Sequence, residues 1–240
     1  MKTLFLDVDD TLYLRSEPFI KACEEVLKKE GIIIDYDEFY TRRSYFSDIY
    51  LEDYDAGIIS LDKMHELRMN SALKDYGFEF AMDKIKEFER AYSKYKKEIV
   101  LDKRLKDMLE MLHKHQVKMT IITNGNSDNQ RGKAYALGLD QYISEDKWII
   151  SGEIGASKPN ILIFREAERI MESRSEDCYI VGDNYDGDIA GGHRAGWKTI
   201  WYNHRRIDRR DKTFDYETAD LAELIKLLLN IFIKGKHESK

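Results

Sequence analysis

The chain has 240 residues, 42% of them hydrophobic, which is enough to bury the core of one large domain or two small ones. Its 39 basic and 45 acidic residues are mixed along the sequence, and the net charge of −6 argues against a general nucleic-acid-binding protein. No segment approaches the roughly 20 apolar residues of a membrane span, and the N-terminal apolar run is too short for a signal peptide, so we expect a cytoplasmic protein.

The first predicted element is a strand at residues 3–8, "TLFLDV", which is short and apolar like a strand buried on both faces. Residues 16–97 then have the pattern of helices almost throughout. Four helices are predicted, starting near Ser16, Tyr36, Ser60 and Asp83. We therefore expect an all-helical cap domain at 16–97, inserted into a core domain formed by 1–15 and 98–240.

After this insertion, short apolar runs alternate with helical patterns, which predicts an α/β core with an open, doubly wound parallel sheet. In "PNILIFREAERIM", Pro159 stands at a position suited to the first helical turn. The segment "LAELIKLLLNIFI" predicts a terminal helix that covers the core, and "KGKHESK" a frayed end. The further strands are predicted at 118–123, 148–150, 177–182 and 198–203.

Polar residues follow four of the five predicted strands. In an open α/β sheet, ligands bind beyond the carboxyl ends of the strands, so these side chains are expected to meet at one edge. Turns favour Asp and Asn for conformational reasons alone, but a stable fold does not require four such ends in succession. The candidates are Asp7, Asp9, Thr123, Asn124, Lys158, Asp183 and Asp188.

The charges of this set constrain its chemistry. Asp7, Asp9 and Asp183 cannot all stay ionised in one pocket without cations. A hard divalent ion relieves the repulsion, and Mg²⁺ is the usual choice where a phosphate completes its ligand shell. Lys158 would add a second positive charge, while the Thr123 hydroxyl and the loop amides after it would bind phosphoryl oxygens. The residues thus predict a phosphate cradle beside a carboxylate nucleophile.

The ordered motifs D-x-D-x-T, Thr-Asn-Gly, Lys-Pro and Gly-Asp-x-x-x-x-Asp, which span residues 7–188, resemble those of the haloacid dehalogenase superfamily of phosphohydrolases. The long insertion between the first two motifs resembles the helical cap of the first type in that superfamily. The resemblance implies that Asp7 attacks phosphorus and becomes an aspartyl phosphate. It also implies that Asp9 protonates the leaving oxygen and later deprotonates the hydrolytic water.

The same resemblance implies roles for the later motifs. Mg²⁺ would be held by the Asp7 carboxylate, the Asp9 backbone carbonyl and Asp183. Thr123 and Asn124 would hold the phosphoryl group, and Lys158 would bridge the phosphate and the acids. Asp188 would orient the metal shell or Lys158 from a second position.

Further stretches, including "IITNG", "GLDQYI" and "YDAGIIS", resemble bacterial nucleotide phosphatases, which implies nucleoside 5′-monophosphates as substrates. A sugar-phosphate phosphatase is an alternative, and so is a phosphonate hydrolase, which would use a cap lysine such as Lys63. A non-catalytic, phosphate-ligand-binding regulatory protein is an alternative of another class. We expect a small phosphorylated metabolite as partner, no nucleic acid, no membrane, and a monomer or homodimer.

Other features are expected to be structural. The cap aromatics Tyr45, Phe46, Tyr50 and Tyr54 are read as cap core in preference to a surface that stacks on a nucleobase. Arg42 and Arg43 are predicted to belong to a charged helical face in preference to contacting a substrate. The basic run "RRIDRRDK" at 205–212 is read as solvated loop, and the two cysteines, Cys23 and Cys178, as reduced thiols.

Overall fold

The computed structural model describes residues 1–209 and 213–234. Their contacts divide the chain into two compact units. One, here called the sheet unit, combines Met1–Leu14 with the chain from Val100 onward, and the other, here called the helical unit, is Arg15–Ile99. The predicted domain boundaries fall after residues 15 and 97, and those of the two units after Leu14 and Ile99.

The sheet unit is built on six strands in the order β3-β2-β1-β4-β5-β6, and every pairing is parallel. The central strand β1 pairs with both β2 and β4, so Leu6 lies beside Ile121 and Val181. All five predicted strands are present, and the sixth was missed. The strands are β1 (Thr3–Leu6), β2 (Lys118–Thr123), β3 (Ile149–Ile150), β4 (Cys178–Gly182), β5 (Lys198–Tyr202) and β6 (Tyr216–Thr218).

This topology fixes where a ligand site is expected. Chain order runs from β1 outward to β2 and β3 on one side, then returns to β4 on the other side. The strand order therefore reverses at β1, and the crevice beyond its carboxyl end is the switch point of the sheet. The first, second and fourth strands end there side by side.

The helical unit contains four long helices. The Asp35 carboxylate caps the second by accepting from the backbone N–H groups of Asp37 and Glu38, and the Ser60 hydroxyl caps the third. Gly31 and Gly77, with left-handed φ of 73° and 79°, follow short 3₁₀ turns after the first and third. The helices are α1 (Ser16–Val26), α2 (Tyr36–Asp55), α3 (Leu61–Leu73) and α4 (Met82–Lys97).

Arg43 of α2 contradicts the prediction of a charged, solvated face. It is only 4% exposed, and its guanidinium lies 5.4 to 5.7 Å from the ring centroids of Phe19, Phe88 and Tyr92. Arg43 also pairs with Glu89 of α4. Burial of this guanidinium is tolerated because aromatic faces and a carboxylate surround it.

The four cap aromatics differ in their exposure. Phe46 packs against the buried cluster of the helical unit and stacks on Tyr50, which fits the reading as cap core. Tyr45 and Tyr54 are 62% and 37% exposed, so the prediction that these two belong to the cap core was wrong.

In the described part of the sheet unit there are six further α-helices. The helix after Lys158 begins at Ile161 and is capped by Asn160, so Pro159 lies before the helix and not in its first turn as predicted. The last helix buries Leu224, Leu228 and Phe232, as expected of a terminal core helix. The helices are α5 (Lys103–Lys114), α6 (Ser127–Ala136), α7 (Ser151–Ile154), α8 (Ile161–Ile170), α9 (Gly191–Arg194) and α10 (Leu221–Phe232).

Cys23 and Cys178 are free and buried, in agreement with reduced thiols. Within the described residues, the longest and most apolar helices fall short of what a membrane crossing requires. The predicted frayed tail lies mostly on residues 235–240, which are outside the described residues, as are residues 210–212 of the basic run.

Candidate active site

Strand β1 carries Asp7 to the carboxyl edge of the sheet. The Asp7 backbone N–H continues the ladder by donating to the Val181 carbonyl at 2.9 Å, which places the side chain directly after the central strand. The residue is 6% exposed. Its Oδ2 accepts a hydrogen bond from the Thr11 hydroxyl at 3.2 Å, and its Oδ1 faces Lys158.

Lys158 occupies the centre of the acidic set. Its Nζ donates to Asp7 Oδ1 at 2.7 Å and to the Ile122 carbonyl at 2.8 Å, and lies 2.6 Å from Asp188 Oδ1. Burial alone would lower the pKa of Lys158, but the charges of Asp188 and Asp7 outweigh burial and raise the pKa. The ammonium therefore stays charged and joins the first, third and fourth motifs.

Asp7, Asp183 and Asp188 each present an oxygen in a cluster whose members lie within 4.8 Å of one another. Burial, opposed by Lys158 and reinforced by Asp188 and Asp9, raises the pKa of Asp7 to about 7. Burial likewise raises the pKa of Asp188. The positive charge of Lys158 alone thus does not compensate for bringing three neighbouring carboxylates together in their ionised form. An additional hard cation with oxygen ligands fits this donor set.

Thr123, the last residue of β2, is 1% exposed. Its Oγ1 is buried and has no hydrogen-bond partner among the described residues. A buried hydroxyl without a partner costs free energy unless a ligand or water completes it. At this edge of the sheet, the hydroxyl is a natural donor to an anion such as a phosphoryl group.

Asn124 uses its side chain differently from the other predicted site residues. The amide oxygen accepts from the Lys158 backbone N–H and the amide nitrogen donates to the Lys158 carbonyl, both at 2.8 Å. This pair of bonds fastens the third motif to the second. Phosphate binding by Asn124 stays a prediction, and with the side chain engaged it would fall to the backbone N–H.

The Asp9 carboxylate is not part of the acidic cluster. Lys133 of α6 donates to both of its oxygens, at 2.7 and 2.8 Å, while Gln130 donates to Oδ2 at 3.0 Å and Tyr13 to Oδ1. Burial would raise the pKa of Asp9, but Lys133 together with the hydrogen bonds of Tyr13 and Gln130 holds that pKa below its usual range. Asp9 therefore carries a negative charge in this arrangement.

The turn after β4 positions Asp188. Residues Tyr185–Ala190 form a π-helical turn, a feature frequent at functional sites. Asp188 Oδ2 accepts from the Asn184 backbone N–H at 3.1 Å, and its other oxygen meets Lys158. A Cβ at Gly182 would lie 2.1 Å from Asp188 Oδ2, so only glycine lets the carboxylate come this close to the strand.

Asp10, the third acid of the first motif, lies outside the acidic cluster. It is 1% exposed, has a left-handed φ of 60°, and accepts from Arg205. Arg209 pairs with Asp186 and lies 4.8 Å from the Tyr185 ring centroid. Arg205 and Arg209 are therefore paired with acids that lie within the first and fourth motifs, while residues 205–208 are exposed, as predicted for a solvated loop.

The structure thus brings together Asp7, Lys158, Asp183 and Asp188, with Thr123 at the end of the neighbouring strand. It places the Asp9 carboxylate among Lys133, Gln130 and Tyr13, three residues that the sequence analysis missed. The available signal was the three-residue spacing of Gln130 and Lys133, which puts both on one face of the helix that follows Thr-Asn-Gly.

Comparison with known proteins places this geometry in a family. The chain is 26% identical to the glyceraldehyde 3-phosphate phosphatase of Pyrococcus furiosus, over 95% of this chain and 93% of the relative. It is 24% identical to the pyrimidine 5′-nucleotidase PynA of Streptococcus pneumoniae, over 95% of this chain and 94% of the relative.

A solved structure agrees with these relatives. The magnesium-bound HAD-hydrolase YfnB from Bacillus subtilis superposes with a TM-score of 0.67 at 25% identity, covering 95% of this chain and 98% of the other. A sequence model of haloacid dehalogenase-like hydrolases matches residues 1–196. The chain therefore belongs to the haloacid dehalogenase-like hydrolase family.

Proposed function

We propose that this protein is a Mg²⁺-dependent phosphatase that hydrolyses small phosphomonoesters through an aspartyl phosphate, with nucleoside 5′-monophosphates as the leading substrate class. The observation that carries the proposal is the buried Lys158 ammonium between Asp7 and Asp188, together with the Thr123 hydroxyl at the end of β2, which has no partner within the described part of the chain. Together they offer a nucleophilic carboxylate and two donors for phosphoryl oxygens at the switch point of the sheet.

In the first step, a carboxylate oxygen of Asp7 forms a bond to phosphorus while the bond from phosphorus to the ester oxygen breaks. Asp9 gives its proton to that leaving oxygen. Lys158 and Thr123 bind the phosphoryl oxygens, and the positive charge of Lys158 stabilises the negative charge that they carry. Asp188 keeps Lys158 in place.

In the second step, Asp9 takes a proton from water. The water oxygen forms a bond to phosphorus, and the bond between Asp7 and phosphorus breaks, which restores the free carboxylate. The ionised state of Asp9 in the structure suits this step directly. For the first step Asp9 must acquire a proton and release at least one of its present donors.

Asp7 and Asp183 would hold Mg²⁺ with the Asp9 backbone carbonyl. Bound there, the ion supplies positive charge that favours the ionised form of Asp7 and offsets the phosphate charge. The raised pKa of Asp7, to about 7, is the physical reason why such a charge is needed near neutral pH.

The substrate class rests on relatives and on sequence resemblance. The S. pneumoniae relative is named a pyrimidine 5′-nucleotidase and aligns with 95% of this chain, which supports a nucleotide as the leading candidate. The P. furiosus relative is named a glyceraldehyde 3-phosphate phosphatase and aligns over the same share, so sugar and triose phosphates are the second candidate class.

Two other candidates receive less support. A phosphonate hydrolase needs a desolvated lysine for its Schiff base. The Lys63 side chain is 49% exposed and donates to Glu66 at 3.0 Å, so it is not desolvated. A regulatory protein that only binds a phosphate ligand would need no proton-transfer group, yet the chain has both Asp7 and Asp9.

A panel of phosphate esters tests the proposal. Purified protein is assayed for phosphate release from nucleoside 5′-monophosphates, glyceraldehyde 3-phosphate and p-nitrophenyl phosphate, with Mg²⁺ and then with EDTA. We expect Mg²⁺-dependent release, with the highest kcat/KM on a nucleotide. Release from sugar phosphates alone would overturn the nucleotide assignment, and no release from any ester would overturn the enzyme assignment.

A further inference from the structure

The Asp9 carboxylate is held by three side chains of the sheet unit. Lys133 Nζ lies 2.7 Å from Oδ1 and 2.8 Å from Oδ2, Gln130 Nε2 lies 3.0 Å from Oδ2, and the Tyr13 hydroxyl donates to Oδ1. The Asp9 and Lys133 side chains are 17% and 23% exposed. The pair is thus better shielded than the exposed surface pairs that contribute little to stability.

Helix α6 supplies two of these donors from one face, since Gln130 and Lys133 are three residues apart. Gln130 Nε2 also donates to the Asn124 carbonyl at 2.9 Å. A Cβ at Gly125 would lie 2.6 Å from Gln130 Nε2, so glycine lets the amide approach the loop. The helix is therefore anchored both to the loop after β2 and to the acid after β1.

These contacts form one connected network. Asp9 joins Gln130, Gln130 joins Asn124, Asn124 joins the Lys158 backbone, and the Lys158 ammonium joins Asp7. The same hydrogen-bond network therefore orients the Asp9 carboxylate and positions Asp7, the proposed nucleophile.

We infer that Lys133 is a positioning residue for Asp9: its ammonium sets the orientation of the carboxylate from which the proton transfers start, with Gln130 and Tyr13 completing the support. This inference rests on the proposed function. Proton transfer needs the donor within hydrogen-bond reach of the oxygen it protonates, and a carboxylate free to rotate meets that condition only part of the time. Lys133 itself touches neither substrate nor phosphorus in this assignment.

The inference predicts a loss that depends on the leaving group. A glycerol alkoxide must be protonated as it leaves, whereas p-nitrophenolate leaves without a proton. In Lys133→Met, kcat/KM for glycerol 2-phosphate should fall about 100-fold, which is the scale of a positioned acid. The kcat/KM for p-nitrophenyl phosphate should change by less than about threefold, because p-nitrophenolate leaves without a proton from Asp9.

A second readout follows from the water step. Hydrolysis of the aspartyl phosphate needs Asp9 whatever the leaving group was. Rapid mixing of Lys133→Met with p-nitrophenyl phosphate should therefore give a burst of p-nitrophenolate close to the enzyme concentration, followed by slow turnover. A residue that only stabilised the fold would produce no such accumulation.

Two variants serve as controls. Arg131 lies on the same helix and pairs with Glu153, so Arg131→Met should leave kcat/KM for both esters at the wild-type level. Lys133→Arg keeps a cation able to reach both Asp9 oxygens and should restore much of the glycerol 2-phosphate activity. If Lys133→Met does not fold, Tyr13→Phe, which removes one donor, is compared on the same two esters and should show a smaller loss with the same selectivity.

Equal losses on the two esters would overturn the inference and indicate a structural role for Lys133. Unchanged kcat/KM on both would overturn it as well. Absence of phosphate release by the wild-type protein from every ester would instead refute the proposed function itself, so the two failures are distinguishable.

Discussion

At the scale of single residues, the site depends on acids that would repel one another without Lys158. That lysine bonds to Asp7 at 2.7 Å and lies 2.6 Å from Asp188, and both acids are nearly inaccessible. Within this arrangement Asp7 is the acid that follows directly from the central strand. It is thus the carboxylate presented at the switch point.

Replacement of Asp7 by asparagine tests that assignment. Asp7→Asn retains the shape but cannot form the aspartyl phosphate, so turnover should fall by at least about 1,000-fold. Folding should survive, because Lys158 keeps Asp188 as its partner. Steady-state assays and circular dichroism measure the two effects, and substantial residual turnover in a folded variant would contradict the covalent route.

Gly182 provides a second test at this scale. Its Cβ would lie 2.1 Å from Asp188 Oδ2, so Gly182→Ala must displace that carboxylate from Lys158. We expect kcat to fall about 10-fold or more, since small misplacements in an active site are costly. Gly132→Ala is the matched control: its Cβ would meet nothing within 4 Å, and turnover should not change. Wild-type kcat in Gly182→Ala would show that the position of Asp188 does not matter.

At the scale of elements, the sequence predicts what depends on local pattern and neighbouring strands. The strand-end acids were found because carboxyl ends of parallel strands meet at one edge. Strand β6, "YET", is three residues long and largely polar, so no periodicity marks it. Lys133 and Arg43 were missed because a cation on a helix is usually solvated. Only the packing shows that one supports Asp9 and that the other is buried among aromatic rings.

The contacts of the buried Arg43 lead to a prediction for the stability of the helical unit. Glu89 of α4 pairs with Arg43 of α2 and with Arg68 of α3, so it links three helices. Glu89→Gln leaves the buried Arg43 and the partly buried Arg68 without their charged partner, and the free energy of unfolding should fall by about 3 kcal/mol. Far-UV circular dichroism is the suitable probe during denaturation, because the three tryptophans, Trp148, Trp197 and Trp201, all lie in the sheet unit.

The same variant has a defined pH dependence. Burial would raise the pKa of Glu89, but Arg43 and Arg68 outweigh burial and lower it. A carboxyl group whose pKa is depressed by folding contributes stability above its unfolded pKa and loses it as the pH falls through the folded value. The difference in the free energy of unfolding between wild type and Glu89→Gln should thus have its full size at pH 7. It should shrink as the pH falls below the usual pKa range of glutamate. A difference that did not depend on pH would contradict the ion-pair explanation.

At the scale of the whole molecule, we expect the proposed metal binding to be coupled to folding, because the acidic cluster exists only when β1 and β4 are paired. Unfolding separates Asp7 from Asp183 by 176 positions of chain, so the unfolded protein has no comparable site. A ligand that binds only the folded state stabilises it by RT ln(1 + [L]/Kd). Mg²⁺ at 100 times its Kd should therefore raise the free energy of unfolding by about 2.7 kcal/mol.

Thermal denaturation at increasing Mg²⁺ measures this, and Asp183→Asn should remove most of the increase. Asp186→Asn is the matched control, since Asp186 is on the same turn but outside the cluster and paired with Arg209. Equal stabilisation of wild type and Asp183→Asn would place the ion elsewhere in the molecule.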